Sequence, residues 1–348
     1  MTKNTQLPSS IKSVTELDDV LSRPSDAVIE AVKKLDGDIM LLGAGGKMGP
    51  SLAELAKRAI TASGAKKKIV AVSRFSNQIE RQRLESVGIE TISSNLLAAD
   101  ELQKLPEIEN VIYMAGMKFG TTGKAAETWA MNTFLPGMVA QKFKASRIML
   151  FSTGNVYPLT PVKLGGCTEN DPVNPTGEYA QSALGRERIF EYFSRELKIR
   201  GAIIRLNYAI DLRYGIFLDV AQKVFARQPI DLTMGHVNVI WQGDANAVVL
   251  RALEIAETPP AILNVTGPET VSIRQLAKKF GEIMQVEPIF ENDEAETALL
   301  SNASRCHQLF GYPAVTLQQM IEWVAHWVKI GESTLAKPTH YETRDGRF

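Results

Sequence analysis

The chain contains 348 residues, of which 45% are hydrophobic, and its 39 Lys+Arg residues balance 39 Asp+Glu residues. This length suits one large domain with a smaller lobe, and the zero formal net charge argues against nucleic acid as a partner. Cys167 and Cys306 lie far apart without the spacing of metal ligands, so we expect no metal, no disulfide framework and a cytoplasmic location. The opening residues lack an apolar signal-peptide core, and the apolar runs are too short to make a membrane partner.

Residues 1–36 are expected to form an N-terminal helical extension. One helix is predicted over Ser13–Leu21, where Ser13 is a candidate N-cap and Glu16 follows it three residues later. A second helix is predicted over Ser25–Leu35, just after Pro24. Packing against the main domain is the simplest role for this extension, and a dimerisation or lid element is the alternative.

From Asp38 onward, short apolar runs alternate with helical stretches, which predicts an α/β fold with a Rossmann-type, doubly wound parallel sheet. The predicted strands are 38–42, 68–72, 91–93, 110–113, 147–152 and 202–206, and the predicted helices are 48–62, 78–86, 127–143 and 179–197. We assign 37–208 to a dinucleotide-binding domain to which 239–265 returns. Residues 209–238 and 266–348 are assigned to a smaller C-terminal substrate-binding lobe.

The first predicted strand runs directly into Gly43-Ala44-Gly45-Gly46-Lys47-Met48-Gly49, and a helix follows. Glycine permits a tight turn and lets a diphosphate approach the backbone, while the helix N-terminus offers unpaired N–H groups to the anion. The strand–loop–helix context therefore predicts a dinucleotide site. Its members are expected to be Gly43, Gly45, Gly46, Lys47, Met48 and Gly49.

The end of the second predicted strand indicates which dinucleotide is bound. An acidic residue there would favour NAD, but Ser73 is uncharged and Arg74 could pair with a ribose 2′-phosphate. NADP is therefore favoured over NAD, although an exposed arginine is also ordinary at a surface. Asn95, beyond the third strand, is placed among the cofactor-binding residues.

Motifs from about Asp38 to about Val328 resemble the extended short-chain dehydrogenase/reductases, specifically the NAD-dependent epimerase/dehydratase family that includes UDP-galactose 4-epimerase. The matching segments are Gly43/Gly46/Gly49, Val111–Lys118, Asn132, Phe151–Tyr157, Glu178–Ala183, Arg205–Asn207, Gln242–Asp244, Leu263–Gly267 and Leu309–Pro313. The resemblance implies that Tyr179, Thr153 and Lys118 are catalytic. It also implies that Ala115, Gly116, Lys118, Asn132, Tyr179 and Asn207 contact the cofactor. The usual residues after Asn132 are replaced by Leu135-Pro136, which predicts a bend in that helix.

The departure from the family pattern lies at Ala183, which occupies the lysine position of the Tyr-x-x-x-Lys motif. In the family this lysine lowers the pKa of the tyrosine, and a free tyrosine titrates near pH ~10. Lys118 is the preferred substitute, and Arg186 and Arg188 are alternatives. Arg186 lies on the same helix face as Tyr179, but arginine remains protonated and is a poor proton carrier.

Five side chains are expected to bind substrate: Asn155, Tyr157, Asn207, Arg213 and His236. Asn155 and Tyr157 are expected to point toward the mouth of the active site. Arg213 would suit a carboxylate or phosphate on the substrate. For His236, a structural or surface role is the alternative. Trp323 and Trp327 are expected to be packing residues.

The resemblance implies an NAD(P)-dependent enzyme that acts on a sugar or sugar derivative by hydride transfer, with Tyr179 as acid/base. Epimerisation, dehydration and dehydrogenation all remain open at this point. The alternative is a catalytically retired NAD(P)-binding sensor or scaffold, which Ala183 favours. A homodimer is implied through the helices near 127–143 and 179–197.

Overall fold

A computed structural model describes residues 7–118 and 123–346; residues 1–6 of the predicted extension and 347–348 of the predicted lobe lie outside the described residues. In chain order the strands are β1 (Ile39–Leu42), β2 (Ile69–Ser73), β3 (Glu90–Ser93), β4 (Asn110–Tyr113), β5 (Arg147–Thr153), β6 (Thr160–Pro161), β7 (Gly201–Leu206), β8 (Ala209–Ile210), β9 (Pro229–Asp231), β10 (His236–Val237), β11 (Ile240–Trp241), β12 (Ala261–Val265), β13 (Val271–Ser272), β14 (Ile289–Glu291) and β15 (Thr297–Ala298). The helices are α1 (Val14–Leu21), α2 (Asp26–Lys34), α3 (Gly49–Ser63), α4 (Gln78–Ser86), α5 (Ala99–Lys104), α6 (Ala125–Trp129), α7 (Leu135–Lys142), α8 (Gly177–Leu197), α9 (Ile216–Phe225), α10 (Gln242–Ala252), α11 (Ile273–Met284), α12 (Ser304–Phe310) and α13 (Leu317–Ile330).

A seven-stranded parallel sheet in the order β12-β7-β5-β4-β1-β2-β3 forms the centre of the molecule. Residues of β1, β4 and β5 are almost wholly buried, because helices cover both faces and an apolar core lies on each. The predicted doubly wound sheet is confirmed, and each predicted strand lies within one residue of its observed bounds. The carboxyl ends of the parallel strands meet at one edge, where ligands bind in such sheets.

The helix predicted at 127–143 is irregular. A π-helical turn at Ala130–Phe134 separates α6 from α7. Pro136 has no N–H to donate to the carbonyl oxygen of Asn132, four residues earlier, so the regular hydrogen-bond ladder cannot continue there. The segment in which Leu135-Pro136 predicts a bend therefore contains a π-helical turn between two α-helices.

The N-terminal extension packs on both parts of the molecule. Ser13 caps α1 by accepting a hydrogen bond from the backbone N of Glu16 at 3.2 Å, and Ser25 caps α2. Helix α2 packs on α3 and α10. The Asp18 carboxylate pairs with Arg83 of α4 and, at 3.0 Å, with Arg213 of the chain after β8.

A second apolar core supports the C-terminal lobe and joins α9, α11 and α13 with α1. Trp323 and Trp327, expected to be packing residues, are buried in it. The segment after α13 also packs on this lobe, where Tyr341 is buried and Thr339 donates its hydroxyl and backbone N–H to Asp219. Over the described residues, no helix is long and apolar enough to cross a membrane.

Candidate active site

The glycine-rich loop connects β1 to the N-terminus of α3 at the carboxyl edge of the sheet. Gly43 has φ +95°, and a Cβ there would stand 2.6 Å from the backbone N of Ala115. At Gly49 a Cβ would stand 2.0 Å from the carbonyl oxygen of Ala44. Side chains are therefore excluded at both positions, while Gly45 and Gly46 are exposed at the turn. The loop therefore presents exposed backbone at a helix N-terminus, which is the arrangement that suits a dinucleotide diphosphate.

The remaining predicted cofactor residues on this side lie at the same edge of the sheet. Ser73 ends β2, and its hydroxyl is contacted by the backbone N of Phe75 at 3.5 Å. Arg74 and Asn95, beyond β2 and β3, are exposed. Met48 is buried and precedes the first turn of α3.

Asn132 fixes the loop that follows β4. Its Oδ1 accepts from the backbone N of Met117 at 2.8 Å, and its Nδ2 donates to the Met117 carbonyl at 2.9 Å. A further bond from Nδ2 to the Ser182 hydroxyl, 3.0 Å long, ties this loop to α8. The buried Asn132 therefore holds the segment that carries Ala115, Gly116 and Lys118 at the sheet edge.

Tyr179 and Thr153 meet at the end of β5. A side-chain hydrogen bond joins the phenol to Thr153, whose Oγ1 also accepts from Asn155 Nδ2 at 3.2 Å. Burial raises the pKa of Tyr179, and the positive charge of Arg186 and the Thr153 hydrogen bond act in the opposite direction. The structure thus brings together the tyrosine and threonine that the sequence paired.

Two half-buried lysines lie at the site, Lys118 near Tyr179 and Lys47 near Tyr214. The Lys118 ammonium is 5.9 Å from the centre of the Tyr179 ring and 5.9 Å from that of Tyr208. Lys47 donates to the carbonyl oxygen of Ala209 at 2.9 Å and lies 4.0 Å from the centre of the Tyr214 ring. Burial lowers the pKa of each lysine to about 8, so both can lose a proton near neutral pH.

The position of the missing lysine is closed. Ala183 is 1% exposed and packs with Val156, Tyr157 and Cys167 under the turn after β5. A lysine there would have to displace apolar side chains or bury its ammonium among them. Arg186, one turn further along α8, instead lies buried against Asn132 and the end of β5.

The prediction that Tyr157 points toward the mouth of the active site is wrong. Tyr157 is 2% exposed, and its hydroxyl donates to Asn264 Oδ1 at 2.9 Å and accepts from Arg205 Nη1 at 2.8 Å. Arg205 also pairs with Glu187 at 2.7 Å. The side chain turned inward because a buried arginine and asparagine satisfy its hydroxyl there.

The other predicted substrate residues have mixed surroundings. Asn155 is half-buried beside Thr153. Asn207 is buried and donates to Asn238 at 2.7 Å. Arg213 is engaged by Asp18 at 3.0 Å and Asp211 at 3.1 Å, so its charge is used to hold α1 against the lobe. His236 is half-buried in β10, paired with β13.

Two residues at the site were missed by the sequence analysis: Tyr208 and Glu342. Burial raises the pKa of Tyr208, and the negative charge of Glu342 and the phenol of Tyr179 add to that effect. Tyr208 directly follows the Asn207 motif, which was a usable signal. Glu342 reaches the site only because the segment after α13 packs back over the lobe, and no local pattern indicates this. Among the residues that the structure describes, no group of His, Cys, Asp or Glu is arranged to hold a metal ion.

The sequence between β1 and β8 decides the family. Residues 39–210 match the model of the NAD dependent epimerase/dehydratase family. Over these residues the chain belongs to the NAD-dependent epimerase/dehydratase family. Membership identifies it as an enzyme of this NAD-dependent class. The family predicted from the sequence motifs is confirmed. No curated protein matches the chain in sequence.

Solved structures share the fold at low sequence identity. The chain is similar to UDP-glucuronic acid 4-epimerase from Bacillus cereus in complex with UDP-glucuronic acid and NAD, with 17% identity, a TM-score of 0.68, and coverage of 84% of this chain and 99% of that one. It is also similar to UDP-glucose 4-epimerase from Thermotoga maritima with UDP-glucose, with 15% identity, a TM-score of 0.68, and coverage of 84% of this chain and 98% of that one. A third similar structure is MoeE5 in complex with UDP-glucose and NAD, with 17% identity, a TM-score of 0.66, and coverage of 84% of this chain and 99% of that one.

Proposed function

We propose that the protein oxidises and reduces a hydroxyl-bearing carbon of a sugar or sugar derivative by hydride transfer to and from NAD or NADP, with Tyr179 as acid/base. The observation that carries this proposal is the hydrogen bond between Tyr179 and Thr153 at the carboxyl edge of the sheet. The pair stands at the same edge as the glycine-rich loop. Family membership and the UDP-sugars bound by the structural relatives support a sugar-like substrate.

The residues at the sheet edge fit a dinucleotide. The glycine-rich loop would hold the diphosphate, because Gly43 and Gly49 admit no side chain and α3 begins there. The loop anchored by Asn132 would line the nicotinamide side through Ala115, Gly116 and Lys118, with Asn207 nearby. When bound, the nicotinamide supplies the hydride acceptor and donor. Arg74 supports NADP over NAD, since its exposed guanidinium can meet a 2′-phosphate.

Residues of this chain transfer the proton of the substrate hydroxyl. Thr153 orients the substrate oxygen by hydrogen bonding, and Tyr179 accepts the proton of that hydroxyl and returns it. Burial lowers the pKa of Lys118 to about 8, and its ammonium lies 5.9 Å from the centre of the Tyr179 ring. Lys118 is therefore proposed to exchange protons with Tyr179. Asn155, Asn207 and His236 are proposed to contact substrate hydroxyls. Arg213, which pairs with Asp18 and Asp211, is proposed to contact a carboxylate or phosphate of the substrate.

We also propose a domain organisation, a homodimer and a cytoplasmic location for the protein. Residues 37–208 with 239–265 form the dinucleotide-binding domain, and 209–238 with 266–348 form the substrate lobe, while the extension joins them. A homodimer through α6–α8 is supported by exposed Trp129 (38%), Phe134 (62%) and Tyr192 (56%). Two free, buried cysteines support a cytoplasmic location.

The test begins with the purified protein. Any co-purifying nucleotide is identified by mass spectrometry, and absorbance of the reduced cofactor is followed with a panel of sugars, sugar acids and nucleotide sugars, together with product analysis for epimers. Tyr179→Phe should reduce turnover more than ~100-fold, since general acid–base catalysis contributes about that much or more. Tyr312→Phe, at a residue 74% exposed outside the site, is the matched control and should leave turnover unchanged.

Two results would contradict the proposal. Unchanged turnover in Tyr179→Phe would remove the tyrosine from the chemistry. Nucleotide binding without turnover of any panel member would favour the alternative, a dinucleotide-binding sensor or scaffold, for which Ala183 is the supporting residue.

A further inference from the structure

A buried arginine stands behind the tyrosine of the site. Arg186 follows Tyr179 by seven residues, or about two turns of α8, so both side chains leave the same face of the helix. Its side chain makes three hydrogen bonds, from Nη1 to the Phe151 carbonyl at 2.8 Å, from Nη2 to Asn132 Oδ1 at 2.7 Å and from Nε to the Asn132 carbonyl at 3.2 Å. These bonds hold a permanent positive charge at one place between β5 and the π-helical turn.

The surroundings of Arg186 are fitted to a guanidinium. Pro136 leaves the Asn132 carbonyl without its usual helical donor, and Arg186 Nε supplies one. On the sheet side, a Cβ at Gly116 would stand 2.6 Å from Arg186 Nη2. Asn132 and Pro136 of the irregular helix and Gly116 of the loop after β4 thus together leave room and a hydrogen-bond acceptor for this guanidinium.

We propose that Arg186 is a positioning residue for Tyr179, supplying the fixed positive charge that stabilises the ionised phenol. The inference rests on the proposed role of Tyr179. A buried phenol resists ionisation, so a nearby charge that never titrates is needed if the phenol is to accept a proton near neutral pH. Arg186 meets that need, whereas Lys118, with a pKa that burial lowers to about 8, loses its charge as the pH rises.

Arg188, the remaining candidate from the sequence, does not serve this role. Its side chain is 57% exposed and pairs with Glu191 at 3.2 Å on the outer face of α8. Other groups also face the phenol and belong in any account of its titration: Thr153 from β5, Lys118 from the loop after β4, Tyr208 and Tyr214 from the chain after β7 and β8, and Glu342 acting on Tyr208.

The experiment compares Arg186→Gln with Arg188→Gln, which removes an equal charge from the same helix. One readout is the pH dependence of kcat/KM. The second needs no substrate and is the absorbance of the Tyr179 phenolate, taken as the difference between each protein and the same protein carrying Tyr179→Phe. This second readout separates failure of this inference from failure of the proposed function.

Arg186→Gln should move the phenolate midpoint up by about one pH unit and lower kcat/KM at pH 7 by ~10-fold, with recovery at higher pH. Arg186→Lys keeps the charge and should restore most of the midpoint, while Arg188→Gln should match the unsubstituted protein. If Arg186→Gln does not fold, Gly116→Ala displaces the guanidinium without removing it and should shift the midpoint in the same direction. An unchanged midpoint with an equal loss of rate at every pH would overturn the inference and leave Arg186 as a structural brace.

Discussion

Glu187 is the residue whose replacement should most clearly destabilise the folded chain. It accepts from Arg205 through Nη2 at 2.7 Å and Nε at 3.1 Å, and the two side chains are 3% and 2% exposed. Glu187→Gln keeps the volume but removes the negative charge, so the buried Arg205 guanidinium keeps only neutral hydrogen-bond partners such as the Tyr157 hydroxyl. Breaking a buried pair from one side costs about 3–5 kcal/mol.

Urea unfolding followed by circular dichroism measures this cost. With a slope of about 3 kcal/mol per M, the midpoint should fall by roughly 1 M or more. Glu191→Gln is the control on the same helix, since it breaks exposed pairs with Arg188 and Arg195 and should cost less than ~1 kcal/mol. Replacing both partners, as Glu187→Leu with Arg205→Met, should recover much of the loss because no charge is left unpaired. The reasoning fails if Glu187→Gln and Glu191→Gln cost the same.

Three further predictions concern the sheet edge. Gly49→Ala should lower stability in thermal unfolding by about 1–3 kcal/mol, because its Cβ would strike a carbonyl oxygen 2.0 Å away. Gly46→Ala, whose nearest contact would be 3.4 Å, should leave the free protein stable and weaken dinucleotide binding, and equal unfolding in both variants would contradict this. Dinucleotide binding near pH ~8 should be accompanied by proton uptake, which calorimetry in buffers of different ionisation enthalpy measures. Burial lowers the pKa of Lys47 to about 8, and a bound anion should raise that pKa again. Lys47→Met should abolish the proton uptake. Ala183→Lys should lower the unfolding midpoint without raising turnover, because the site is 1% exposed and apolar; a large gain in rate would refute that.

Sequence patterns were sufficient for the sheet and for the tyrosine–threonine pair. Buried parallel strands read as apolar runs whatever lies around them, and the glycine-rich loop, Thr153 and Tyr179 each sit at a strand or helix end that the pattern predicts. Tyr157 was misplaced because its direction depends on two distant partners, Arg205 and Asn264, rather than on its neighbours.

The choice between Lys118 and Arg186 was equally beyond local patterns. Both lie near Tyr179. What distinguishes them is the Asn132 carbonyl, which cannot accept a hydrogen bond from Pro136 and accepts one from Arg186 Nε instead. The helix that carries Asn132 packs against α8 only in the folded protein. No sequence motif indicates that the helix carrying Asn132 packs against α8 at Arg186.

The Asp18 carboxylate has a thermodynamic consequence. One oxygen binds Arg83 of α4, beside the central sheet, and the other binds Arg213 of the chain after β8. A relative displacement of these two parts must break one bond or drag α1 with it. Ligands that favour different separations of the two parts are therefore coupled through this single side chain, and the coupling free energy is the same whichever ligand binds first.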